Sequence, residues 1–447
     1  MSRRSEAKWS ALWRWAQSLK PQTLFEFPSR SRRLFSEHRQ RRRALDRKVS
    51  DQSRRGLDWT NFFLADVQVS FGAFLAFYLA NLGWSKQDVG FVMAVGGLVG
   101  VAAQIPGGAL ADALTWKRGL AAVGVLLISS AALILALWPS YVLVFVAATL
   151  HGMTGGVVGP AIAAISLGLT GRQGMSLRVG RNFRFAGAGN ALTAAVAGTV
   201  ASYLSNSAIF LVAAALCIPT LLALSYIRPD EIDYARARNA RKSEHSLDLQ
   251  RALDLFKNRN LLVFAACVML FQFFNSPLLP VVGQNLGRVT GATSPLYLAA
   301  MLVVPQLVVA VLAPWIGYWS ELRGRKLLLL AGFGFAVLRA LLFAITGSPG
   351  AMVVIQMLDG VAGAIMTVLT ILVITDLTSG TGRFNLAQGF FGALTGVSAA
   401  IGAGVFGFVA YRFGDLPSLL AMAGGIAAGM ALLYAALPET KPAEYKD

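Results

Sequence analysis

The chain of 447 residues is apolar and basic: 55% of its residues are hydrophobic, 14% are charged, and the formal net charge is +18. Soluble domains carry about 25% charged residues, so this composition excludes an ordinary soluble protein and indicates an integral membrane protein. A mean hydropathy of +0.59 agrees with that class. The two cysteines, Cys217 and Cys267, lack CxxC or metal-ligand spacing, so we expect free thiols and no metal site.

The first 56 residues are polar and strongly basic, with 16 Lys or Arg against 5 Asp or Glu. We expect residues 1–56 to form a cytoplasmic extension. It is either a short helix lying on anionic lipid headgroups or a disordered tail that fixes the topology. Trp9 and Trp13 fall at helical spacing, as the first alternative requires. Because the segment leads directly into an apolar run, we expect no nucleic-acid partner. We expect no cleavable signal peptide, since the N-terminus is basic and polar over its first 56 residues.

Twelve apolar runs follow, each close to the roughly 20 residues that cross a bilayer as a helix. They predict an all-α membrane protein with two six-helix bundles at 57–227 and 259–437. A polar segment at 228–258, flexible or with a short surface helix, joins the bundles, and a cytoplasmic tail follows at 438–447. All but four of the 40 Lys and Arg fall on one side, so the positive-inside rule places both termini in the cytoplasm. The predicted spans, numbered 1 to 12, are 59–82, 87–111, 117–138, 141–169, 184–204, 207–227, 260–286, 293–319, 326–346, 350–375, 385–411 and 416–437.

A turn with a glycine, an acid and two bases occurs twice, after span 2 and after span 8, at an offset of 209 residues. His151 and Asp359, in spans 4 and 10, are related by an offset of 208. A steady offset across several positions indicates two homologous halves, as in transporters built from internal repeats. The first turn contains Gly108, Asp112, Lys117 and Arg118, and the second contains Gly317, Glu321, Gly324, Arg325 and Lys326.

The repeated turn resembles the signature loop of the major facilitator superfamily, which lies between helices 2 and 3 and between helices 8 and 9. The resemblance covers about residues 57–437 and implies a secondary transporter with the twelve-helix fold of that superfamily. The first copy departs from the family pattern at Ala113 and Thr115, where a base and a glycine are expected.

The resemblance also implies a conformational latch, because the acid of this turn bridges to the other bundle when the cytoplasmic side of such transporters is closed. We expect Asp112 to latch to the Arg383 end of span 11. Glu321 is expected to latch to the end of span 5 that carries Arg181 and Arg184. The alternative is a loop that fixes the topology and has no switching role.

Three ionisable residues within or near spans are candidates for proton coupling: Asp66, His151 and Asp359. Charged groups inside a membrane are costly and mark functional sites. A carboxyl group in a low-dielectric cavity can load a proton near pH 7, and histidine can change charge there. His151 and Asp359 are repeat mates that could face each other across a cavity. The alternative for each of the three is a structural hydrogen bond.

Spans 1 and 7 line the cavity in the superfamily, which makes their polar and aromatic residues candidates for substrate contact. Gln68 in span 1 has a repeat mate, Gln272, in span 7, and Asn275 lies beside a helix-breaking proline. Phe71 adds aromatic surface. Arg339 in span 9 is expected to have a structural role.

These features predict a transporter of a small organic molecule or metabolite, proton-coupled, with export favoured over import. A proton symporter that imports a nutrient is the first alternative, and a non-transporting membrane sensor or scaffold is the second. No nucleotide-binding loop or catalytic constellation is visible, so we expect no enzymatic activity and no cofactor. We expect a monomer in the cytoplasmic (inner) membrane of a bacterium.

Overall fold

The computed structural model describes residues 49–69, 75, 78–79, 81–203, 207–240, 257–283 and 294–443. These residues are helical apart from short connections and isolated bridges at Ala240. The first half contains α1 (Asp51–Val69), α2 (Lys86–Ala113), α3 (Lys117–Leu137), α4 (Tyr141–Tyr203), α5 (Ala208–Ala215) and α6 (Cys217–Ser225), and α7 (Tyr234–Ala237) follows. The second half contains α8 (Arg259–Asn275), α9 (Ser294–Arg323), α10 (Lys326–Ile345), α11 (Pro349–Ile355), α12 (Met357–Leu377), α13 (Phe384–Phe413) and α14 (Asp415–Ala436).

Ten helical segments of the described residues are long and apolar enough to cross a bilayer, which confirms the predicted all-α membrane class. The longest of them, Tyr141–Thr193, includes a break at Gly171, whose φ of 64° and ψ of 179° are not helical. Glycine adopts positive φ without the steric cost that a Cβ atom brings. We therefore treat α4 as two helices, α4a before Gly171 and α4b after it.

The start of α4b differs from the sequence prediction. Span 5 was predicted from residue 184, whereas the helix begins directly after Gly171. Arg178 and Arg181 precede predicted span 5 and Arg184 is its first residue, yet all three lie inside the helix. The burial of Arg178 is offset by a carboxylate on α1, a contact that a hydropathy profile does not contain.

Two helix pairs, α2 with α13 and α4b with α9, make most of the interface between the halves, and α4 also contacts α12 and α13. Gly108 of α2 lies against the Asn385 backbone of α13, and Gly317 of α9 lies against the Ser176 backbone of α4b. At neither glycine is there room for a Cβ atom. The two contacts are equivalent under the 209-residue offset, since Gly108 corresponds to Gly317 and Ser176 corresponds to Asn385.

A second pair of contacts, deeper in the same interface, follows the same rule. Gly180 packs on the Ala313 carbonyl and Gly389 packs on the Gln104 carbonyl, and both members of each contact are again 209 residues apart. In an assembly of two equivalent parts a contact between i and j is repeated with the roles reversed. The halves are therefore related by an approximate twofold axis between the two helix pairs.

Large apolar side chains cover much of the outer surface. Leu98, Ile345 and Phe408 are each more than 60% exposed, which a soluble monomer rarely tolerates in contiguous patches. Facing lipid, such side chains carry no desolvation penalty. Packing inside the halves rests on small residues as well as large ones, as is usual between membrane helices.

Candidate functional site

A cavity of about 450 Å³ lies between the two halves, enclosed by α1, α4a, α4b, α9 and α12. Most of its wall is apolar, with a few convergent polar groups, which is typical of a pocket for a small organic molecule. Its polar lining consists of Asn61, Ser166, Asn182, Asn190, Gln306, Asp359 and Thr367.

Side-chain amides form the polar part of the cavity wall. Asn190 Nδ2 donates a hydrogen bond of 3.1 Å to Gln306 Oε1, which joins α4b of the first half to α9 of the second. Asn182 Nδ2 donates to Ser166 Oγ at 2.8 Å and joins α4b to α4a. Each amide still has donor or acceptor positions beyond these bonds, so the wall can hydrogen-bond to an uncharged polar ligand.

Among the described residues, Asp359 is the ionisable group of the cavity wall, and its partner lies behind it. Arg339 of α10, 1% exposed as a side chain, pairs with the Asp359 carboxylate, which is 27% exposed. Arg339 also donates to Asn275 Oδ1 at 3.1 Å and to Gln356 Oε1 at 3.2 Å. The arginine is thus fully enclosed by α8, α10 and α12, while the acid reaches the cavity.

A second buried ion cluster lies on the first half, next to the cavity. Asp58 of α1 accepts hydrogen bonds from Arg178 and Arg181 of α4b, the latter at 2.9 Å to both carboxylate oxygens. Arg178 Nε also donates to Asn182 Oδ1 at 2.7 Å, which connects this cluster to the cavity wall. One acid is shared by two guanidinium groups, so the cluster carries a net charge of +1.

At the membrane side where the two repeated turns lie, called the turn side below, Asp112 crosses between the halves. Its carboxylate accepts hydrogen bonds from the Asn385 backbone N–H at 3.2 Å, from Asn385 Nδ2 at 2.8 Å and from the Leu386 N–H at 2.8 Å. These two residues begin α13, directly after Arg383. The first-turn N–H groups of a helix have no partner within the helix and favour an anion.

The basic residues of the two turns donate hydrogen bonds to carbonyl groups near the C-terminal ends of the preceding helices. Lys117 Nζ donates to the Ala111 carbonyl near the end of α2, and Arg325 Nη1 donates to the Ser320 carbonyl of α9 at 2.6 Å. Both acceptors are carbonyls at helix C-termini, where a cation is stabilised. The remaining bases bind other helix ends in the same way: Arg118 donates to the Ser225 carbonyl and Lys326 to the Tyr434 carbonyl.

The acid of the second turn is held within its own half. Arg325 Nη2 donates to Glu321 Oε1 at 2.9 Å and Arg325 Nε donates to Asp376 Oδ2 at 3.1 Å, and all three side chains are buried. The predicted partner Arg181 is bound to Asp58 in this conformation. At Gly324, with φ of 86°, the backbone turns against the carboxylate of Glu439, which leaves no room for a side chain.

The described part of the segment between the halves, residues 228–240, is held by hydrogen bonds to other parts of the protein. Asn239 Nδ2 donates to the Thr375 carbonyl at 2.7 Å, and the Ala237 carbonyl accepts from Asn385 Nδ2 at 3.0 Å. Glu231 accepts from the N–H and Oγ of Ser50, both at 3.0 Å. Burial opposes the charged form of Glu231, but these hydrogen bonds outweigh it and lower the pKa of the carboxyl group. Residues 228–240 therefore form an ordered connection with a short helix, while 241–256 lie outside the described residues.

The remaining residues that the sequence singled out lie either off the cavity wall or outside the described residues. Gln272 is half-buried and accepts from Ser276 Oγ at 3.2 Å, and the cavity lining includes neither Gln272 nor His151 among the described residues. His151 is half-buried on α4a, two turns from the cavity residue Gly159. The side chains of Asp66 and Gln68, together with the whole of Phe71, lie outside the described residues.

Sequence reasoning missed Asp58, Asn182 and Gln306. Asp58 immediately precedes predicted span 1, and its partner Arg178 is 120 residues away along the chain. Asn182 lies in the stretch between predicted spans 4 and 5. Gln306 is a visible signal, a polar residue within an apolar run, but the sequence alone did not single it out from other polar residues in the spans.

Known proteins resemble this chain in sequence and in fold. The family model described as Major Facilitator Superfamily matches residues 59–287 and 261–447. An uncharacterized MFS-type transporter of Mycobacterium tuberculosis is 34% identical over 389 residues, which covers 86% of this chain and 93% of the relative. The multidrug transporter protein MdtP of Bacillus subtilis is 25% identical over 143 residues, covering 32% of this chain and 26% of that protein. The crystal structure of the human organic anion transporter MFSD10 aligns with a TM-score of 0.65 at 15% identity, covering 87% of this chain and 99% of that one.

Proposed function

Since this chain belongs to the major facilitator superfamily and is a secondary transporter, we propose that it exports a small organic molecule or metabolite in exchange for protons. The proposal includes twelve spans, both termini and the turn side in the cytoplasm, and a monomer in a bacterial inner membrane. The observation that carries it is the cavity between the halves, together with the hydrogen bonds that Asp112 accepts across the halves on the turn side.

The mechanism follows from where those contacts lie. Asp112, Gly108 and Gly317 hold the halves together on the turn side, and the Asn190–Gln306 bond holds them at the cavity. Separation of α2 from α13 and of α4b from α9 would open the cavity to the cytoplasm. Rocking of two repeats about a fixed central site is how such transporters expose it alternately to each side.

The cavity supports a neutral or cationic cargo. The exposed ionisable group that the described residues bring to the cavity is the Asp359 carboxylate, because Arg339 is enclosed behind it. Amide groups of Asn190 and Gln306 supply donors and acceptors without charge. The partial match to a Bacillus subtilis protein described as a multidrug transporter agrees with export of organic molecules, although it spans a third of the chain.

Asp359 is the proton-coupling residue that this geometry favours. A proton on its carboxylate would cancel the attraction to Arg339 and change the charge of the cavity wall in one step. A cationic cargo would compete with that proton for the same carboxylate, which couples the two in exchange. Asp66 remains a candidate from the sequence, and His151 becomes a weaker one because it lies off the cavity wall.

Ethidium transport into everted membrane vesicles tests the proposal. Vesicles containing the protein are expected to accumulate ethidium when respiration acidifies their interior, and to release it when nigericin collapses the pH gradient. The Asp359→Asn variant is expected to lose this uptake, and the exposed-loop control Asp230→Asn to retain it. Uptake that survives nigericin would contradict proton coupling. Uptake seen in right-side-out vesicles instead would favour import, and the absence of flux in both would contradict export of organic cations.

A further inference from the structure

One face of α4b is turned away from the cavity and carries two arginines. Val179, Phe183 and Ala186 line the cavity. The helical repeat of 3.6 residues therefore places Arg181 and Arg184 on the opposite side. Leu192, further along that side, is 49% exposed. This outer face looks toward lipid rather than toward the other half.

Both arginines retain positive charge that the described protein does not cancel. Asp58 is shared between Arg178 and Arg181, and the Arg181 side chain is still 48% exposed. Arg184 is exposed, and among the described residues no carboxylate pairs with it. Residues three apart on a helix are neighbours, with Cβ atoms about 5–6 Å apart, so the two guanidinium groups can bind one anion together.

Aromatic side chains border these arginines on the α1 side. Trp59 of α1 is 47% exposed and its ring centroid lies 6.0 Å from that of Phe185. Trp315 of α9 is 56% exposed and lies on the side of that helix turned away from α4b. Trp315 lies at the depth of Arg181, because the neighbouring Gly180 packs on Ala313 and Pro314. Tryptophan is enriched at the membrane–water interface.

We infer that this face, called the arginine groove and formed by Arg181, Arg184 and Trp59, binds an anionic phospholipid at the seam between the two halves. The phosphate would sit between the two guanidinium groups, and an acyl chain would follow the apolar side chains of α4b and α9. Arginine is costly inside a bilayer unless it is paired, and a headgroup phosphate provides that partner. The cytoplasmic leaflet is implied by the orientation proposed above.

The occupant follows from charge and surroundings. The exposed ionisable side chains of the groove are basic, so a zwitterionic headgroup would gain less than an anionic one. The groove is continuous with apolar surface at Leu192 and Val311, which is 64% exposed, so a ligand with an acyl chain fits better than free phosphate. Since α4b belongs to one half and α9 to the other, the lipid would contact both.

Native mass spectrometry of the purified full-length protein tests the site. The protein is titrated with phosphatidylglycerol or with phosphatidylcholine of the same acyl chains. We expect phosphatidylglycerol to bind preferentially. Its affinity should fall about tenfold in Arg184→Gln, because a charge-assisted hydrogen bond is lost. Arg184 is chosen because its replacement leaves the Asp58 cluster intact. Arg323→Gln, an exposed arginine on the same membrane side, is the matched control and should bind like the unmodified protein.

The melting temperature of each variant without added lipid shows whether it is folded, and Arg184→Lys is expected to recover part of the affinity. Equal binding of the two lipids, or equal phosphatidylglycerol affinity in Arg184→Gln and Arg323→Gln, would overturn the inference. Equal stabilisation by inorganic phosphate alone would overturn the lipid as the ligand. None of these outcomes depends on ethidium transport.

Discussion

Replacing Asp112 by Asn should shift the protein toward a conformation open on the turn side. The Asp112 carboxylate accepts three hydrogen bonds from Asn385 and Leu386. All three donors belong to the other half, and Asp112 is 2% exposed. The substitution keeps the shape of the side chain but removes its charge. It also places an NH₂ donor next to N–H donors that need a hydrogen-bond acceptor.

The size of the shift can be worked from these contacts. A hydrogen bond to a charged group contributes about 1.5–3 kcal/mol, and an anion at a helix N-terminus gains about 0.3–1 kcal/mol more. Asparagine retains one acceptor oxygen, so we expect a loss of about 2 kcal/mol rather than the full sum. That corresponds to a shift of about 30-fold in the ratio of open to closed protein.

Electron–electron distance measurement between spin labels reads this ratio directly. The labels are placed at Leu114 and Ser379, exposed positions at the turn side of the two halves, with Cys217 and Cys267 replaced by Ala. Asp112→Asn should increase the population at the longer distance. Asp230→Asn, an exposed acid on the same side, should leave the distribution unchanged. An unaltered distribution in Asp112→Asn would refute the latch.

Three further predictions concern packing and buried charge. Gly389→Val places side-chain atoms on the α2 backbone, so the same label pair should report the longer distance; a closed distribution would contradict the helix packing described here. Arg339→Met leaves Asp359 without its guanidinium and should cost about 3 kcal/mol of stability. The double variant Arg339→Met with Asp359→Leu should recover much of the melting temperature, and failure to recover would count against a compensated pair. Asp58→Asn should cost a similar amount because two arginines lose their acid, whereas Asp51→Asn, at an exposed position, should melt like the unmodified protein.

Much of the fold can be predicted from the sequence because its causes are local. A run of about 20 apolar residues is sufficient to indicate a membrane helix, and the offset of 209 between the two turns indicates the duplication. The start of α4b could not be predicted in this way. Its three arginines lower the hydropathy, and the acid that compensates Arg178 lies on α1, far away in the chain.

The candidate site was predicted less completely because its contacts are not local. The family resemblance implied that Asp112 latches to the Arg383 end of span 11, and its carboxylate accepts hydrogen bonds from Asn385 and Leu386 beside that residue. The partner of Asp359 could not be read from repeat symmetry, since Arg339 lies in the same half. The repeat also suggested that the second turn would act like the first. However, residue 176, the mate of Asn385, lies inside α4b rather than at a helix start. Its backbone N–H is therefore in the helix interior, away from the free first-turn groups that Asp112 uses.

Reciprocal distance changes on the two sides of the membrane test alternating access most directly. A second label pair at Ser140 and Ser348, exposed repeat mates on loops opposite the turn side, complements the pair at 114 and 379. When Asp112→Asn opens the turn side, the distance between Ser140 and Ser348 should shorten in the same protein sample. If that distance stays constant or lengthens while the turn side opens, the two halves do not rock about a shared cavity.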